Sequence, residues 1–558
     1  MTTNVVPRCM LSLIGCLIVG LAFWGCEGDQ GPAGSPGVNP QSPPIITGVV
    51  ATPDSVGSGE SLVLFVIASD PNGDALTYSW SAAAGQLSAN DKAVTTWKAP
   101  RELGLYQITV SVSDNDGTDS SSVVVGVNVY VPSVYPSYLG DNANRCGHCH
   151  EALVEGWHGT NHGKAYQTLV DDGVENNPYC VQCHVTGYDN IVDEAGNVTQ
   201  VGLDNGGYDQ NPIASLRDVQ CEACHSPMGP TFASHNPQIQ GALRGETCDR
   251  CHTENEEYAQ SGHGQAIANA GGLEAFLRRF NDSPCNGCHI SEKFISVHDP
   301  DWANQAMPEE PWQVTCATCH DVHQKDNESY LRGQEAFPIV YGGPEFPDGF
   351  EITNFGKGQL CGQCHHARRT EDDVLEQINE GDDHPGPHGS CQADMVAGYG
   401  SYEIARYEYE HESQHTPDVQ IDTCSLANMC VTCHTYTIPF GQPDGPYYGH
   451  EFRPDNRACN CCHTTPDDFD FRGKRTEIDG LMAELYALLP QDGSGNLMPF
   501  DTLNWTRPER EAGYAWYFVS NDNSHGAHNF EYASSLLENA IAYLTANGAQ
   551  ASDLSKQR

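Results

Sequence analysis

The sequence predicts an all-β sandwich followed by a mostly helical and irregular domain with little sheet. Two observations predict it. Residues 45–131 hold strand-like runs parted by turn clusters and contain no cysteine or histidine. From residue 132 onward one pentapeptide pattern, Cys-x-x-Cys-His, occurs nine times. At 558 residues the chain is too long for one ordinary core, so at least two domains are expected.

The N-terminal end comes first. Arg8 precedes an apolar stretch, Met10 to Trp24, with the length of a signal-peptide core and short for a membrane span. Residues 1–26 are therefore read as an export signal. Gly25-Cys26 resembles a lipoprotein processing site with Cys26 as the lipidated residue; Phe23-Trp24 departs from the small residues usual there, and ordinary cleavage nearby is the alternative. Residues 27–44, rich in Gly, Pro, Ser and Asn, read as a flexible tether.

In residues 45–131 the runs Ser61–Ile67, Leu76–Trp80, Tyr106–Val112 and Ser122–Val125 have strand composition. Turn clusters at Asp70-Pro71-Asn72-Gly73-Asp74 and Asp114-Asn115-Asp116-Gly117 separate them. Short strands at this spacing form a sandwich. The Asp-Pro-Asn-Gly-Asp turn running into Leu76-Thr77-Tyr78-Ser79-Trp80 resembles polycystic-kidney-disease-type and bacterial immunoglobulin-like domains, which implies a core role for Trp80 and a spacer or adhesion module. Asp70, Asp74, Asp114 and Asp116 offer the oxygen ligands that calcium prefers, although plain turn residues are the favoured reading of them.

Residues 132–558 carry the repeated motif. In chain order its members are Cys146/Cys149/His150, Cys180/Cys183/His184, Cys221/Cys224/His225, Cys248/Cys251/His252 and Cys285/Cys288/His289. Then follow Cys316/Cys319/His320, Cys361/Cys364/His365, Cys430/Cys433/His434 and Cys459/Cys462/His463. Two cysteines three apart each form a thioether to one haem vinyl group, and the next histidine then ligates the iron from below the ring. With 24 cysteines and 24 histidines in the chain, chance supplies roughly 0.04 such pentapeptides. A zinc knuckle needs two cysteine pairs per metal and no fixed histidine after them; here every pair carries that histidine. Nine covalent haems c are expected, with short helices and long loops wrapped round a haem stack and a helix near the C-terminus.

Fifteen histidines remain for the sixth coordination positions. Several sit in phrases resembling the multihaem cytochrome c superfamily that includes nitrite reductases, octahaem tetrathionate reductases and hydroxylamine oxidoreductases. Trp157-His158-Gly159-Thr160-Asn161-His162 resembles that group's Trp-x-x-Ser-x-His phrase, with Thr160 in place of the serine, and Ser261-Gly262-His263 repeats it. His323 follows His320 by three residues; His450 lies in Gly449-His450-Glu451-Phe452-Arg453-Pro454; His528 lies in Gly526-Ala527-His528-Asn529, ahead of a helix-like Tyr532–Leu537. The resemblance makes these five distal-ligand candidates. His235, His298, His388 and His415 complete a set of nine, with His384 and His411 as rivals for the last two. In an oxidising compartment Cys391 and Cys424 are expected to pair, with Cys461 a bystander thiol inside the ninth motif.

The formal net charge is −47, from 74 acidic and 27 basic residues. That potential disfavours nucleic acid and anionic lipid, and suits positively charged redox partners or metal cations. Two function classes follow. One is an exported electron conduit, periplasmic or on the outer surface, lipid-anchored or assembled into oligomers or filaments. The other is an oxidoreductase with one open haem acting on a small nitrogen or sulfur compound such as nitrite, hydroxylamine or tetrathionate. Against the second, no Cys-x-x-Cys-Lys motif occurs.

Overall fold

The structure is a computed structural model. It describes residues 42–556 apart from 53–54, 57–58, 103, 128–137, 202–205, 226–242, 244, 282, 300–310, 325–328, 344, 382–385, 423, 440, 443–444 and 464–468. The export signal with Cys26, most of the tether, the boundary at 131/132, His235 and His384 lie outside the described residues. No helix among the described residues is long and apolar enough to cross a membrane.

Eight strands build the N-terminal domain: β1 (Ile45–Thr52), β2 (Ser55–Val56), β3 (Ser61–Ser69), β4 (Thr77–Ala82), β5 (Gln86–Leu87), β6 (Val94–Lys98), β7 (Gly104–Ser113) and β8 (Thr118–Val127). They form two four-stranded sheets, ordered β1-β3-β6-β5 and β2-β8-β7-β4. All pairings are antiparallel except β2 with β8. The period-2 alternation along β3 and β7 sends Leu62, Leu64, Ile108, Val110 and Val112 inward and their neighbours toward solvent.

Trp80 is buried, as the sequence implied, and Trp97 is buried completely, which the sequence reading missed. Each indole needs an acceptor when taken out of water. Trp80 Nε1 donates to Lys92 O at 2.8 Å and Trp97 Nε1 to Ala84 O at 3.0 Å. Gly85 turns beside the second indole at φ 77°, where a Cβ would stand 2.5 Å from Trp97 Nε1, so only glycine fits. The sandwich touches the second domain through Arg101, whose guanidinium lies 4.3 Å over the Trp312 ring and donates to Pro311 O.

Beyond residue 138 short helices dominate. The nine motifs fall on or beside the helices Asn142–Cys146, Pro178–Val181, Cys221–His225, Gly245–Asp249, Asn286–His289, Cys316–Cys319, Gln359–Gly362, Cys430–His434 and Asn456–Cys459. Sheet is confined to two-stranded pieces, for example Phe337–Ile339 with Phe350–Ile352.

The C-terminal region departs from the expected haem-filled interior. Helices Lys474–Leu488, Arg507–Asp522 and Phe530–Lys556 pack together over Ile478, Leu485, Phe500, Trp505, Phe518, Tyr532, Leu536 and Leu537. This is an ordinary side-chain core. Thr506 starts the middle helix with a capping box: its backbone N–H donates to Glu509 Oε2 at 2.6 Å.

The cysteine pairing also differs from expectation. Cys424 is bonded to Cys461, with Cα atoms 5.5 Å apart, and Cys391 is a buried free thiol. The ninth motif brings Cys461 against the short hairpin that carries Cys424, whereas Cys391 heads the helix Gln392–Ala397 and points at Phe518 O.

Trp97→Ala removes the largest fully buried side chain of the sandwich and should cost about 3–5 kcal/mol. The low-temperature or N-terminal calorimetric transition of the full chain should fall while haem absorbance below that transition stays unchanged.

Candidate haem centres

The local geometry of the motif is one helical turn. In the first motif His150 N–H donates to Cys146 O at 2.9 Å and Cys149 N–H to the same oxygen at 3.1 Å. The equivalent His-to-first-Cys bond occurs in the fourth, fifth, sixth, seventh and ninth motifs at 2.8–3.1 Å. Residues three apart on a helical turn share a face, so both thiols point to one side and the histidine follows directly. That is the arrangement needed to clamp one porphyrin edge and ligate its metal.

Among the described residues, seven of the motif histidines have a second imidazole opposite them. His225 faces His323 with ring centres 6.1 Å apart, His252 faces His162 at 6.0 Å, and His289 faces His388 at 6.3 Å. His320 faces His450 at 6.4 Å, His365 faces His263 at 6.0 Å, His434 faces His528 at 6.1 Å, and His463 faces His415 at 6.2 Å. A metal–imidazole bond of roughly 2 Å, plus roughly 1 Å from nitrogen to ring centre, places two trans imidazoles about 6 Å apart. The interplanar angles run from 16° to 85°. Ring stacking therefore does not set the spacing, since it would favour particular orientations. The residues fit bis-histidine iron.

The outer nitrogens support the same reading. A ligating imidazole turns one nitrogen to the metal and donates from the other, which fixes ring and tautomer. His320 Nδ1 donates to Ser329 O at 2.7 Å and His434 Nδ1 to Phe452 O at 2.9 Å. His365 Nδ1 reaches Gln392 Oε1 at 3.1 Å, and His415 Nδ1 reaches Ala527 O at 2.8 Å. His528 Nδ1 donates to Asp522 Oδ1 at 2.6 Å; against the cost of partial burial, that carboxylate holds the imidazole above its ordinary pKa. The outer partners were not legible in the sequence, because most are backbone carbonyls and Asp522 carries no motif of its own.

Two of the distal histidines are presented by the same device. Thr160 N–H donates to Trp157 O, and Thr160 Oγ1 accepts from Gly163 N–H at 3.3 Å, turning the chain so that His162 projects. Ser261 N–H donates to Tyr258 O, and Ser261 Oγ accepts from Gly264 N–H at 3.0 Å, projecting His263. Both hydroxyl residues are buried. Burial, and then the histidine opposite, lowers the pKa of His162 and of His263 to about 4, so each imidazole is neutral and offers a lone pair.

The remaining positions are placed differently. His184 Nδ1 donates to Ala165 O at 2.6 Å. Among the described residues no second imidazole stands at such a distance from His150 or His184. His298 packs its ring 4.1 Å from Phe294 and its Nδ1 meets Glu335, rather than facing a motif histidine. His411 stacks on Tyr399 at 4.5 Å, leaving His415 opposite His463.

In the sandwich, carboxylate oxygens of Asp70, Asp74 and Asp114 lie within 4.8 Å of one another. One oxygen of Asp70 caps its own turn, accepting from Asn72 N–H at 2.9 Å and Asp74 N–H at 2.7 Å. Asp114 does the same for Asp116 and Gly117. The second oxygens, Asp70 Oδ2 and Asp114 Oδ2, are shielded from solvent without a hydrogen-bond donor. Asp116 instead accepts from Asn72 Nδ2.

Comparison with known proteins agrees with the two-part layout. Residues 145–226 match the family described as cytochrome c554 and c-prime, and residues 41–126 match the bacterial Ig domain. Chitinase A of Pseudoalteromonas piscicida is 35% identical over 121 residues, 20% of this chain and 14% of that protein. The chain thus spans about a seventh of the length of this curated relative. Among solved structures, the outer cell wall cytochrome OcwA is 17% identical with a TM-score of 0.40, covering 73% of this chain and 100% of that one. Cytochrome c nitrite reductase of Desulfovibrio desulfuricans is 14% identical with a TM-score of 0.24, covering 51% and 69%. Matches to an Ig domain and to a cytochrome c family thus fall along this chain in the order of its sandwich and its first three motifs.

Gly264→Ala tests the presentation of His263. Its Cβ would lie 2.3 Å from Tyr258 O, so the turn must open and withdraw the imidazole. The haem-loaded variant should convert one haem from low to high spin, seen as a new high-spin signal of one haem per chain in electron paramagnetic resonance.

Proposed function

We propose that this chain is an exported nonahaem electron conduit, attached by thioethers at the eighteen motif cysteines and ligated proximally by the nine motif histidines. The observation that carries the reading is the set of seven opposed imidazole pairs at 6.0–6.4 Å. It supports His162, His263, His323, His388, His415, His450 and His528 as distal ligands. When bound, haem supplies a one-electron couple, and a filled coordination sphere favours electron transfer over substrate chemistry.

The chain's own residues do three things for that couple. The thiols fix each porphyrin edge to a helical turn. The imidazoles hold the iron from both faces. Outer acceptors such as Asp522, Gln392 and the Ser329 carbonyl orient the rings and place negative partial charge behind them, which favours the oxidised state. The net charge of −47 suits a cationic partner or an extracellular metal acceptor. The leader-like run Met10–Trp24 supports export, with Cys26 as the lipid attachment point. The Ig domain then serves as a spacer.

The rival reading is a reductase with one open haem. Protein-film voltammetry of the haem-loaded full chain separates the two. The conduit reading expects reversible waves that nitrite, hydroxylamine and tetrathionate leave unchanged, on a protein whose mass exceeds the mature chain by nine haems. A catalytic current with any of the three overturns it in favour of the reductase.

The sandwich adds a calcium site at Asp70, Asp74 and Asp114. Facing carboxylates with shielded oxygens repel each other unless a cation or a proton lies between them. Calcium should raise the melting temperature of the N-terminal transition, by about 4–8 °C for each kcal/mol of binding. Asp70→Asn with Asp114→Asn should abolish that response.

A further inference from the structure

The cysteines of different motifs touch one another, and the pattern of contact is regular. The Cys146 thiol lies beside Cys221, joining the first and third motifs. Their helices pack together through Asn142, whose Nδ2 donates to Glu222 Oε2 at 2.9 Å while its Oδ1 accepts from Glu222 N–H at 3.1 Å. Cys248 meets Cys316, joining the fourth and sixth, again with their helices packed. Cys361 meets Cys430, joining the seventh and eighth, where Lys357 N–H donates to Asn428 Oδ1 at 3.1 Å. In all three cases the first cysteine of one motif meets the first cysteine of the other.

Second cysteines make a different set of contacts. Cys183 meets Cys251, attaching the second motif to the fourth, and Cys183 Sγ lies 4.0 Å from Arg250 O. Cys288 meets Cys364, attaching the fifth to the seventh. There Arg368 Nη2 donates both to Cys288 Sγ at 3.4 Å and to Cys364 O at 2.8 Å.

Further links complete the set. Cys224 lies near Cys248 and Cys251, and Val219 N–H, two residues before the third motif, donates to the carbonyl of His162, which faces the fourth motif's His252. Cys319 lies near Cys364, and Gln363 Nε2 donates to Gly333 O and Glu335 O in the segment after the sixth motif. Cys433 lies near Cys459 and Cys462, with their two helices packed.

Over the first seven motifs the contacts repeat with a period of three. First-to-third recurs as fourth-to-sixth, and second-to-fourth recurs as fifth-to-seventh. The histidine after the first motif, His162, faces the fourth; the one after the fourth, His263, faces the seventh, each presented by the same hydroxyl-capped turn.

We propose that electrons pass through the haems of motifs one, three, four, six, seven, eight and nine in that order, with those of motifs two and five as side branches on four and seven. The proposal rests on the haem reading above. Motifs packed together in this way would bring their porphyrin edges close, and electron tunnelling falls off exponentially with edge separation, so these packings define the neighbours. Each hop oxidises one iron by one electron and reduces the next. The haem of motif seven then has three neighbours, at motifs five, six and eight. The haem of motif five has one. Motifs one and nine are the ends of the run, and the two branches are side ports or storage positions.

The test uses the haem-loaded full chain and two variants, His263→Met for motif seven and His388→Met for motif five. An axial methionine raises the potential of its haem, so at a suitable poise that haem alone is ferrous and diamagnetic. The remaining ferric haems are then read by electron paramagnetic resonance for the loss of a magnetic neighbour. The wiring predicts that three haems per chain change their signal in His263→Met and one in His388→Met. His162→Met, for motif four, serves as the second branch-point variant and should also alter three. Failure of any methionine variant to raise the potential of a single haem overturns the ligand reading. A raised potential with equal numbers of altered neighbours in all variants overturns the wiring and leaves the ligand reading intact.

Discussion

A metal held between two imidazoles demands a spacing of about 6 Å between ring centres, and seven histidine pairs among the described residues stand at 6.0–6.4 Å. Neither histidine of a pair is close to the other in sequence. His289 comes from one motif and His388 from the loop after another; His434 meets His528 across the C-terminal helices. Rings that packed for their own sake would favour particular orientations, whereas these pairs keep one spacing while their interplanar angles run from 16° to 85°, as a metal between them would require.

The scaffold meets that demand with rigid local pieces rather than long elements. Each motif is one helical turn closed by a backbone hydrogen bond to the first cysteine, or a near variant of it. The distal histidines ride on capped turns, on the residues beside Asp321, or on the Asp522–His528 pair. Where no porphyrin is expected, the chain reverts to side-chain packing: the three C-terminal helices enclose Trp505, Phe518, Tyr532 and Leu537 as any helical bundle would.

Much of this was legible in the sequence, for reasons that differ by residue. The motif cysteines and histidines are covalent chemistry written at fixed spacing, so one pass finds them. The sandwich was legible because strands alternate at period 2, and Trp80 sits in a recognisable phrase. Trp97 was not, because it lies in a short strand with no turn signal to single it out. His162 and His263 could be named from their phrase. Their partners could not, because His162 crosses to the fourth motif and His263 to the seventh, which is a property of the packed chain alone. The expected Cys391–Cys424 bond failed for the same reason. Nothing local reveals that the ninth motif brings Cys461 onto the hairpin of Cys424. The apolar periodicity of residues 474–556 was present in the sequence, but the expectation of a porphyrin-filled interior obscured the helical core it builds.

If the opposed histidines are the ligand pairs of bound haem, the spin states of the loaded chain must show it. Low-temperature electron paramagnetic resonance of the fully oxidised, haem-loaded chain, with spins counted per haem, tests it most directly. The account predicts at least seven low-spin haems of bis-histidine character in each chain. High-spin signals from three or more haems would leave fewer low-spin irons than the structure has opposed pairs, and would contradict it.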